Sequence, residues 1–158
     1  MAIDITNSQG TKVYIAATAN AAVADATEVA TAIAAGNQIG CIQDLGGLSS
    51  SVSVQEYTCL SSNESAKSTG SRSQGNFTVG MLFSAADAAG QAELKTMYDG
   101  GQTRTFIIEF NDNGGTNPTY ETFEGFVSTE DIVAAKDNAV MVNMTVEIAS
   151  ARARILAS

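Results

Sequence analysis

The chain has 158 residues and a formal net charge of −9, with no histidine and no tryptophan. This length suits one domain that buries a hydrophobic core of its own. The acidity excludes proteins that hold phosphate backbones or anionic membrane surfaces, because both tasks need clustered Lys and Arg.

The sequence shows no export signal and no membrane span. Its N-terminus lacks the basic and apolar regions of a secretory signal, and no stretch approaches the apolar length that crosses a bilayer. Cys41 and Cys59 do not form a metal-ligand pattern. We expect both as small buried side chains in a reducing cytoplasm, with a Cys41–Cys59 bridge as the less favoured alternative.

The first predicted strand is followed by a segment of weaker pattern. Alternating apolar residues predict a strand over residues 11–18. Residues 19–35 are rich in Ala, Thr and Val, and we interpret them as a surface loop with at most a few helical turns. A short helix from Asp25 or Thr27, with Glu28 near its N-terminus, is the alternative.

Two more strands are predicted over residues 37–44 and 50–58. In the later strand Val52, Val54 and Glu56 share one face, and the opposite face is mostly serine and other polar side chains. Such alternation is typical of a strand with one face buried and the other in solvent.

Residues 60–74 break the alternation. They hold one large apolar side chain, Leu60, among many serines, so they cannot order by burying their own surface. Two interpretations stay open for this long segment. It is either a mobile hairpin tip or an arm that orders only against a neighbouring subunit.

A strand over residues 76–83 leads into the one helix that the sequence predicts with a start and a stop. Ser84 is expected at the N-cap with Asp87 three residues later, and Gly100-Gly101 should end the helix. Its narrow apolar face is formed at spacings of three and four by Ala88, Gln91, Leu94, Met97 and Tyr98.

Three strands complete the chain, over residues 103–111, 119–129 and 138–148. Turns are expected between them at residues 111–118 and at Glu130-Asp131. The tail, residues 149–158, could extend the last strand. Runs of strands with one inserted helix predict a mainly β, α+β domain rather than alternating βαβ units.

The sequence predicts no catalytic, cofactor-binding or metal site. The absence of histidine removes the commonest general base and metal ligand. Phosphate-binding glycine loops and Cys-x-x-Cys are absent. Glu121 and Glu124 lie three apart on a predicted strand and so point to opposite faces. Residues 111–115 resemble a calcium loop only faintly, because the spaced acidic ligands are missing.

The order of several short pieces resembles a known family over roughly residues 40–150. The matching pieces are Ile42-Gln43-Asp44-Leu45, Gly70-Ser71, Gly75-Asn76-Phe77-Thr78, Gly90, Leu94, Tyr98, Gly100, Thr103-Arg104 and Phe123-Glu124-Gly125-Phe126-Val127-Ser128. In this order the chain resembles the major tail tube proteins of long-tailed, lambda-like bacteriophages (siphoviruses).

The resemblance implies a β-sandwich or half-barrel with one flanking helix, as a single tail tube domain over residues 1–158. Six subunits would form a ring with a continuous inner barrel, and rings would stack into a tube in the virion tail, assembled in the cytoplasm of the bacterial host. The implied partners are further copies of the chain, a tape-measure protein and tail-end proteins, with double-stranded DNA passing through without specific binding. Neither an enzyme nor a membrane protein is expected.

The resemblance also implies roles for particular segments. Residues 59–75 would form a flexible arm between rings, through Ser61, Asn63, Glu64, Lys67 and Arg72. The tail, through Arg152 and Arg154, would also join rings. The net charge separately leads to the hypothesis that acids on the polar faces of the strands line the lumen and repel phosphates. The candidates are Glu56, Glu109, Glu121, Glu124 and Glu147, and the alternative is that they keep the outer surface soluble.

Three alternatives remain. The chain could be another ring-forming tail component, such as a terminator, or the tube of a phage-derived injection device. It could also be a small ligand-binding β-sandwich. The abundance of the protein in its particle would separate a tube from a terminator.

Overall fold

A computed structural model describes residues 9–61, 63–87, 89–111 and 118–156. Within these ranges the chain forms ten strands and two helices. The strands are β1 Lys12–Ile15, β2 Asn37–Gln38, β3 Ile42–Leu45, β4 Ser50–Thr58, β5 Ser65–Gln74, β6 Asn76–Leu82, β7 Arg104–Phe110, β8 Thr119–Val133, β9 Met141–Ile148 and β10 Ala153–Leu156. The helices are α1 Ala26–Ala35 and α2 Gly90–Gly100.

One antiparallel sheet forms the body, in the order β2-β1-β7-β8-β9-β6-β3. The long strand β8 changes partners along its length. Its first half lies between β7 and β10, and its second half pairs with β9. β10 continues the direction of β9 along β8, so the tail does extend the last strand as far as it is described.

The sheet folds over itself along β8 and encloses the main core. Phe77 on β6 makes edge-to-face contacts with Phe106 on β7 and with Phe123 on β8, at centroid distances of 5.8 and 5.3 Å. Because β6 and β7 are not neighbours in the sheet, these contacts cross between two layers. The predicted sandwich or half-barrel is confirmed.

We name the layers by their central strands. The β6 layer contains β3, β6, β9 and the second half of β8, and the β7 layer contains β2, β1, β7, β10 and the first half of β8. Alternate residues of both layers point into the core between them. The other faces of the two layers point outward, and they differ in what covers them.

Helix α1 covers the outward face of the β7 layer. Asp25 caps the helix by accepting a hydrogen bond from the Glu28 backbone N–H over 2.9 Å. Val29 packs with Ile107 and Ile155 in a second, smaller apolar cluster. The interpretation of residues 19–35 as mainly a loop is therefore wrong, and the alternative of a short helix from Asp25 with Glu28 near its N-terminus is confirmed. The chain has two flanking helices among the described residues rather than one.

Helix α2 closes one end of the core with Leu94 and Met97, both fully buried. It ends at Gly101, whose φ of +60° is the left-handed conformation that a terminating glycine supplies, as predicted. Tyr98 from the predicted apolar face is exposed, and Ala88 lies outside the described residues.

The start of α2 differs from the prediction. Ser84 is not the N-cap, because the helix begins at Gly90. The Asp87 carboxylate accepts hydrogen bonds from the backbone N–H groups of Gly90, Gln91 and Gly40, at 2.9, 3.1 and 3.0 Å. One acid therefore both caps the helix and fixes the connection between β2 and β3.

The single strand predicted over residues 37–44 is two short strands at opposite edges of the sheet. β2 pairs with β1, and β3 pairs with β6. The chain passes between them through Cys41, which has a φ of +57°. Cys41 and Cys59 are both exposed and free, so the expectation of buried cysteines is wrong and the two do not form a bridge.

Strand β8 runs through the turn that was predicted at Glu130-Asp131, so that prediction is wrong. Glu130 pairs with Met144, and Asp131 pairs with Asn143. A bulge between Val127 and Thr129 shifts the register and reverses which residues point outward beyond it. The other predicted turn, over residues 111–118, lies mostly outside the described residues.

Strands β4 and β5 form a separate two-stranded sheet, and we call residues 50–74 the hairpin. All its described side chains from Ser50 to Thr69 are exposed. Neither face of β4 is buried, contrary to prediction, and residues 65–74 form a strand although their composition favoured a loose segment. Pairing of the two backbones, rather than burial of side chains, defines the hairpin.

Candidate functional site

The outward face of the β6 layer is polar and uncovered by either described helix. On β6 and β9, the outward residues pair across the two strands and are polar or glycine except for the last pair. They are Asn76, Thr78, Gly80, Asn143, Thr145 and Glu147, followed at the far end by Leu82 and Met141. All of those with side chains remain exposed or half-buried. We call this surface the polar face.

Three acids lie along the polar face. Asp44 on β3 pairs with Gly80, which pairs with Asn143, which pairs with Asp131 on β8. The two aspartates therefore stand at the ends of one row across the layer. Glu147 lies further along the same face, opposite Asn76. Glu124 lies just before the crossing at Gly125, on the half of β8 that pairs with β7.

Glu147 is held in place by polar neighbours. Its carboxylate accepts hydrogen bonds from Ser128 Oγ over 3.3 Å and from Asn76 Nδ2 over 3.4 Å. No Lys or Arg of the described strands points from the polar face, because all eight basic residues lie on other surfaces or segments. The polar face therefore has a uniformly negative charge.

Of the five predicted lumen acids, the structure places only Glu147 on the polar face, and Glu124 lies on the half of β8 that pairs with β7. Glu56 lies on the hairpin. Glu109 is on the outward face of the β7 layer, 3.6 Å from Lys12. Glu121 points to the core side and is 5% exposed.

Sequence reasoning missed Asp44 and Asp131. Asp131 was assigned to a turn, and the bulge that turns it outward leaves no mark in the alternation of β8. Asp44 was placed in the strand predicted over residues 37–44 without a face, and a register shift after Ile42 places it opposite Gly80. The sequence signal that did point to the polar face was the alternation of residues 138–148, which puts Asn143, Thr145 and Glu147 on one side of their strand.

The β6 layer has two free edges. β3 pairs with β6 on one side and with no other described strand. On β8, residues after Gly125 pair only with β9, because β7 begins at Arg104 opposite Gly125. Backbone N–H and C=O groups at such edges are open to pairing with another chain.

Lys95 on α2 lies beside the free edge of β8. Its ammonium group is 2.8 Å from Glu130 and 3.0 Å from Asp99. Hydrogen bonds to Glu130 and then to Asp99 raise the pKa of Lys95 above its usual value. Because the amine is exposed, these ion pairs contribute little to the stability of the fold. Their main effect is to fix the positions of three charged groups beside the β8 edge.

The predicted arm residues all belong to the hairpin. Ser61, Asn63 and Glu64 lie in the connection between β4 and β5, and all three are exposed. Lys67 stands opposite Glu56, and Arg72 stands opposite Val52. The hairpin has no extensive contact with any other strand or helix of the described structure.

Both tail arginines contact the same chain. Arg152 donates from Nη2 to Ser50 Oγ over 3.1 Å at the base of the hairpin. Arg154 donates from Nε to the Glu121 carboxylate over 2.6 Å. The structure thus pairs a predicted lumen acid with a predicted inter-ring residue inside one subunit.

The described residues offer little for catalysis. No group of three or more acidic or cysteine side chains that could hold a metal occurs among them, and none of the described helices is long and apolar enough to cross a membrane. An open cleft of about 870 Å³ lies between β3 and the ends of β7 and β10. Burial, and then the charge of Glu109, raise the pKa of Tyr14 and Tyr120 above its usual value.

Comparisons with known proteins agree with this architecture. Residues 4–156 match the family described as phage tail tube, TTP, lambda-like. No curated protein matches the sequence. The SPP1 tail tube has a similar structure at 15% identity, with a TM-score of 0.65 over 95% of this chain and 78% of that one.

Two further structures are similar. A chain of the anti-feeding prophage baseplate aligns at 10% identity with a TM-score of 0.71, over 98% of this chain and 97% of that one. A chain from the tail of an empty GTA particle, computed with C6 symmetry, aligns at 12% identity with a TM-score of 0.65, over 94% of this chain and 98% of that one. At these identities the likeness shows a shared fold.

Proposed function

The chain belongs to the lambda-like phage tail tube family and is a structural subunit of a tail tube, and we propose that six copies form a ring around a DNA channel. The proposal rests on one observation above all. The β6 layer has a free edge on each side and an uncovered polar face between the edges. The tail of the GTA particle, which has the same fold, was computed with C6 symmetry.

Ring closure uses the two free edges. The β3 edge of one subunit pairs with the β8 edge of the next, so that the β6 layer of each subunit continues into that of its neighbour. The two edges are different surfaces, and a contact between different surfaces closes into a ring when the rotation between subunits allows it. Closure removes the unpaired ladder groups that otherwise invite uncontrolled association.

The polar face then lines the lumen. Its acids are Asp44, Asp131 and Glu147, and no basic residue of the described strands accompanies them. A duplex must slide through the tube without adhering. Carboxylates repel phosphates over the screening length of about 8 Å at physiological salt, so the wall disfavours contact with DNA.

The remaining assignments follow from the same role. The subunit is not an enzyme, it needs no cofactor, and its 158 residues act as one tail tube domain. Its partners are further copies of itself, a tape-measure protein inside the tube and tail-end proteins. It resides in the virion tail after assembly in the host cytoplasm.

Negative-stain electron microscopy of the concentrated protein tests the ring. Six-fold rings or hollow tubes are expected. A second measurement uses Gln43→Cys on β3 and Thr129→Cys on β8, in a Cys41→Ser, Cys59→Ser background, treated with a short bis-maleimide. Crosslinked species of two to six chains are expected. Each variant with only one of the two cysteines should give no species larger than two chains.

Compact single particles at every concentration, without crosslinked species, would contradict the proposal and favour a monomeric binding domain. Rings without tubes would favour the alternative of a terminator. Counting subunits per particle then decides, because a tube subunit is abundant and a terminator is not. A particle that delivers protein rather than DNA would identify the tube of an injection device.

A further inference from the structure

The two layers of the sheet leave two openings between them, at opposite ends of the β7 layer. One opening lies beside the free edge of β8, where Glu93 on α2 is 3.0 Å from Arg104 at the start of β7. The other is the cleft beside β3, which reaches Phe110 at the end of β7. Six residues of β7 separate Arg104 from Phe110, which is about 20 Å along the strand. The two openings therefore belong to different sides of the subunit.

Helix α2 closes the opening beside β8. It contacts β8 on one side and β1 and β2 on the other, and Leu94 and Met97 are fully buried between the layers. The cleft beside β3 has no such cover. Its volume is about 870 Å³, and no residue of either described helix lines it.

The walls of the cleft combine apolar side chains with one arginine. Ile42, Leu45 and Phe110 are partly buried against the main core, whereas Leu156 at the end of β10 is 70% exposed. Arg154 uses its Nε for the ion pair inside the subunit, and its other guanidinium nitrogens have no partner among the described residues. An apolar side chain accompanied by a carboxylate is complementary to these walls.

The exposed side of α2 offers this combination next to the free edge of β8. Tyr98 is 38% exposed, and the side chain of Asp99 is 61% exposed. Lys95 joins Asp99 to Glu130 on β8, and its ammonium group lies 5.1 Å from the centre of the Tyr98 ring. Ile132, on the core side of the same edge, is a further exposed apolar side chain.

The geometry of the ring brings these two surfaces together. Three antiparallel pairings separate β3 from β8 within the β6 layer, so the two edges run in opposite directions and are suited to antiparallel pairing between subunits. Such pairing keeps the core sides of adjoining layers on one side. The cleft lies on the core side of β3, and α2 lies on the core side of β8. The α2 helix of one subunit therefore faces the cleft of the next.

We propose that the exposed side of α2 in one subunit packs into the cleft of the neighbouring subunit of the same ring. The inference rests on the proposed function and adds a side-chain contact behind the paired β3 and β8 edges. Tyr98 packs on Leu156 and the apolar wall, and Asp99 pairs with the free nitrogens of Arg154. Each subunit thus closes one opening with its own helix and the other with the helix of its neighbour. Because the two surfaces are different, the contact repeats around the ring.

Disulfide formation between the two surfaces tests the contact. Tyr98→Cys with Leu156→Cys, in the Cys41→Ser, Cys59→Ser background, is oxidised under mild conditions. Within one chain these positions lie at opposite ends of the β7 layer, whereas a disulfide needs Cα atoms within about 7 Å. Disulfide-linked species of two to six chains are expected. Ala30→Cys on the exposed face of α1, combined with Leu156→Cys, is the matched control and should give no species larger than two chains.

Blocking either surface should weaken the ring without unfolding the subunit. Tyr98→Asp changes the helix, and Leu156→Asp changes the cleft. Both replace exposed side chains, so circular dichroism should show an unchanged fold. Loss of an apolar anchor at an interface should raise the concentration at which half of the protein forms rings by roughly tenfold in each variant. Ala30→Asp should leave this concentration unchanged. An unchanged concentration in either blocked variant would overturn the inference.

The strand crosslink through Gln43→Cys and Thr129→Cys separates this inference from the proposed function. Crosslinking between β3 and β8, without disulfides between Tyr98→Cys and Leu156→Cys, would overturn the inference and leave the proposed ring intact. Absence of both kinds of crosslink would count against the proposed function and the inference together. Disulfides between the helix and the cleft without strand crosslinks would support the contact and contradict the pairing of β3 with β8.

Discussion

The guanidinium of Arg154 contacts the carboxylate of Glu121 over 2.6 Å, and Glu121 is the only buried acid among the described residues. Removing the arginine leaves a charge on the core side of β8 without its partner. Arg154→Ala is expected to lower the free energy of unfolding by roughly 1–2 kcal/mol, because the arginine itself is mostly exposed and solvent screens the pair. Urea denaturation measures the change.

Arg152→Ala is the matched control for this substitution. Its guanidinium contacts the Ser50 hydroxyl rather than a buried acid, so little change in stability is expected. An equal loss of unfolding free energy in the two variants would show that the ion pair of Arg154 with Glu121 does not stabilise the fold.

Asp87 provides a pH-dependent element of stability. Burial opposes its ionisation, but hydrogen bonds from the backbone N–H groups of Gly90, Gly40, Gln91 and Ala89 outweigh burial and lower its pKa. A group with a lowered pKa in the folded state stabilises the fold above the unfolded pKa of about 3.9 and loses that contribution as the pH falls through the folded value.

Asp87→Asn is therefore expected to lower the melting temperature at pH 7, by the equivalent of roughly 1 kcal/mol for a lost cap. The difference from the unaltered protein should narrow as the pH falls below about 4. Thermal melts between pH 7 and pH 2.5 measure it. A difference that stays constant over this range would show that the carboxylate charge is not responsible.

Gly125 lies where β8 passes from one layer to the other. A Cβ at this position would stand 2.7 Å from the Glu147 carbonyl oxygen and 2.9 Å from Val146 Cγ1. The backbone atom cannot move without breaking the pairing of β8 and β9, so Gly125→Ala is expected to cost roughly 1–3 kcal/mol of stability.

Gly47→Ala is a suitable control for Gly125→Ala. No atom lies within 4 Å of the added methyl group, and the substitution should be neutral or slightly stabilising because it restricts the unfolded chain. Differential scanning calorimetry compares the melting temperatures of the two variants. A Gly125→Ala variant with the melting temperature of the unaltered protein would show that β8 and β9 can move apart at this crossing to admit the methyl group.

The core of the fold was predictable from the sequence because alternation reports burial directly. Val142, Met144, Val146 and Ile148 on β9 are buried as the pattern of residues 138–148 predicts. The glycine stop of α2 was also predictable, since only a residue tolerant of positive φ suits that position.

The errors arise where local pattern and tertiary pairing differ. Residues 37–44 alternate like one strand, yet their halves pair with strands at opposite edges. The bulge after Val127 cannot be read from residue types, and it alone decides that Asp131 points outward. Serine content predicted a loose segment for β5, although backbone pairing with β4 orders it.

The acids of the polar face should govern the speed of DNA passage rather than assembly. A variant with Asp44→Asn, Asp131→Asn and Glu147→Gln should form tubes, since these side chains do not enter the core. Its lumen would repel phosphates less, and DNA release from particles carrying it should be slower. Dye fluorescence after receptor-triggered release measures the rate.

A second neutralised set serves as the control for the polar face. Glu56→Gln, Asp99→Asn and Glu109→Gln remove the same number of charges from the hairpin, α2 and the β7 layer. Release should proceed at the rate of the unaltered particle. Equal slowing by both sets would mean that total charge, rather than the polar face, controls passage.

Salt should weaken the stacking of rings through the basic residues of the hairpin. Arg152 and Arg154 are engaged within the subunit, which leaves Lys67 and Arg72 as the candidates for contacts between rings. Attraction between such exposed charges falls as the screening length shrinks from about 10 Å at 0.1 M salt to about 3 Å at 1 M. Light scattering of assembling protein should therefore show a higher threshold concentration at high salt. In Lys67→Gln with Arg72→Gln the threshold should be higher at low salt and should change less with added salt, because the screened charges are gone. Assembly of the unaltered protein that is indifferent to salt would show that apolar contacts alone hold the rings together.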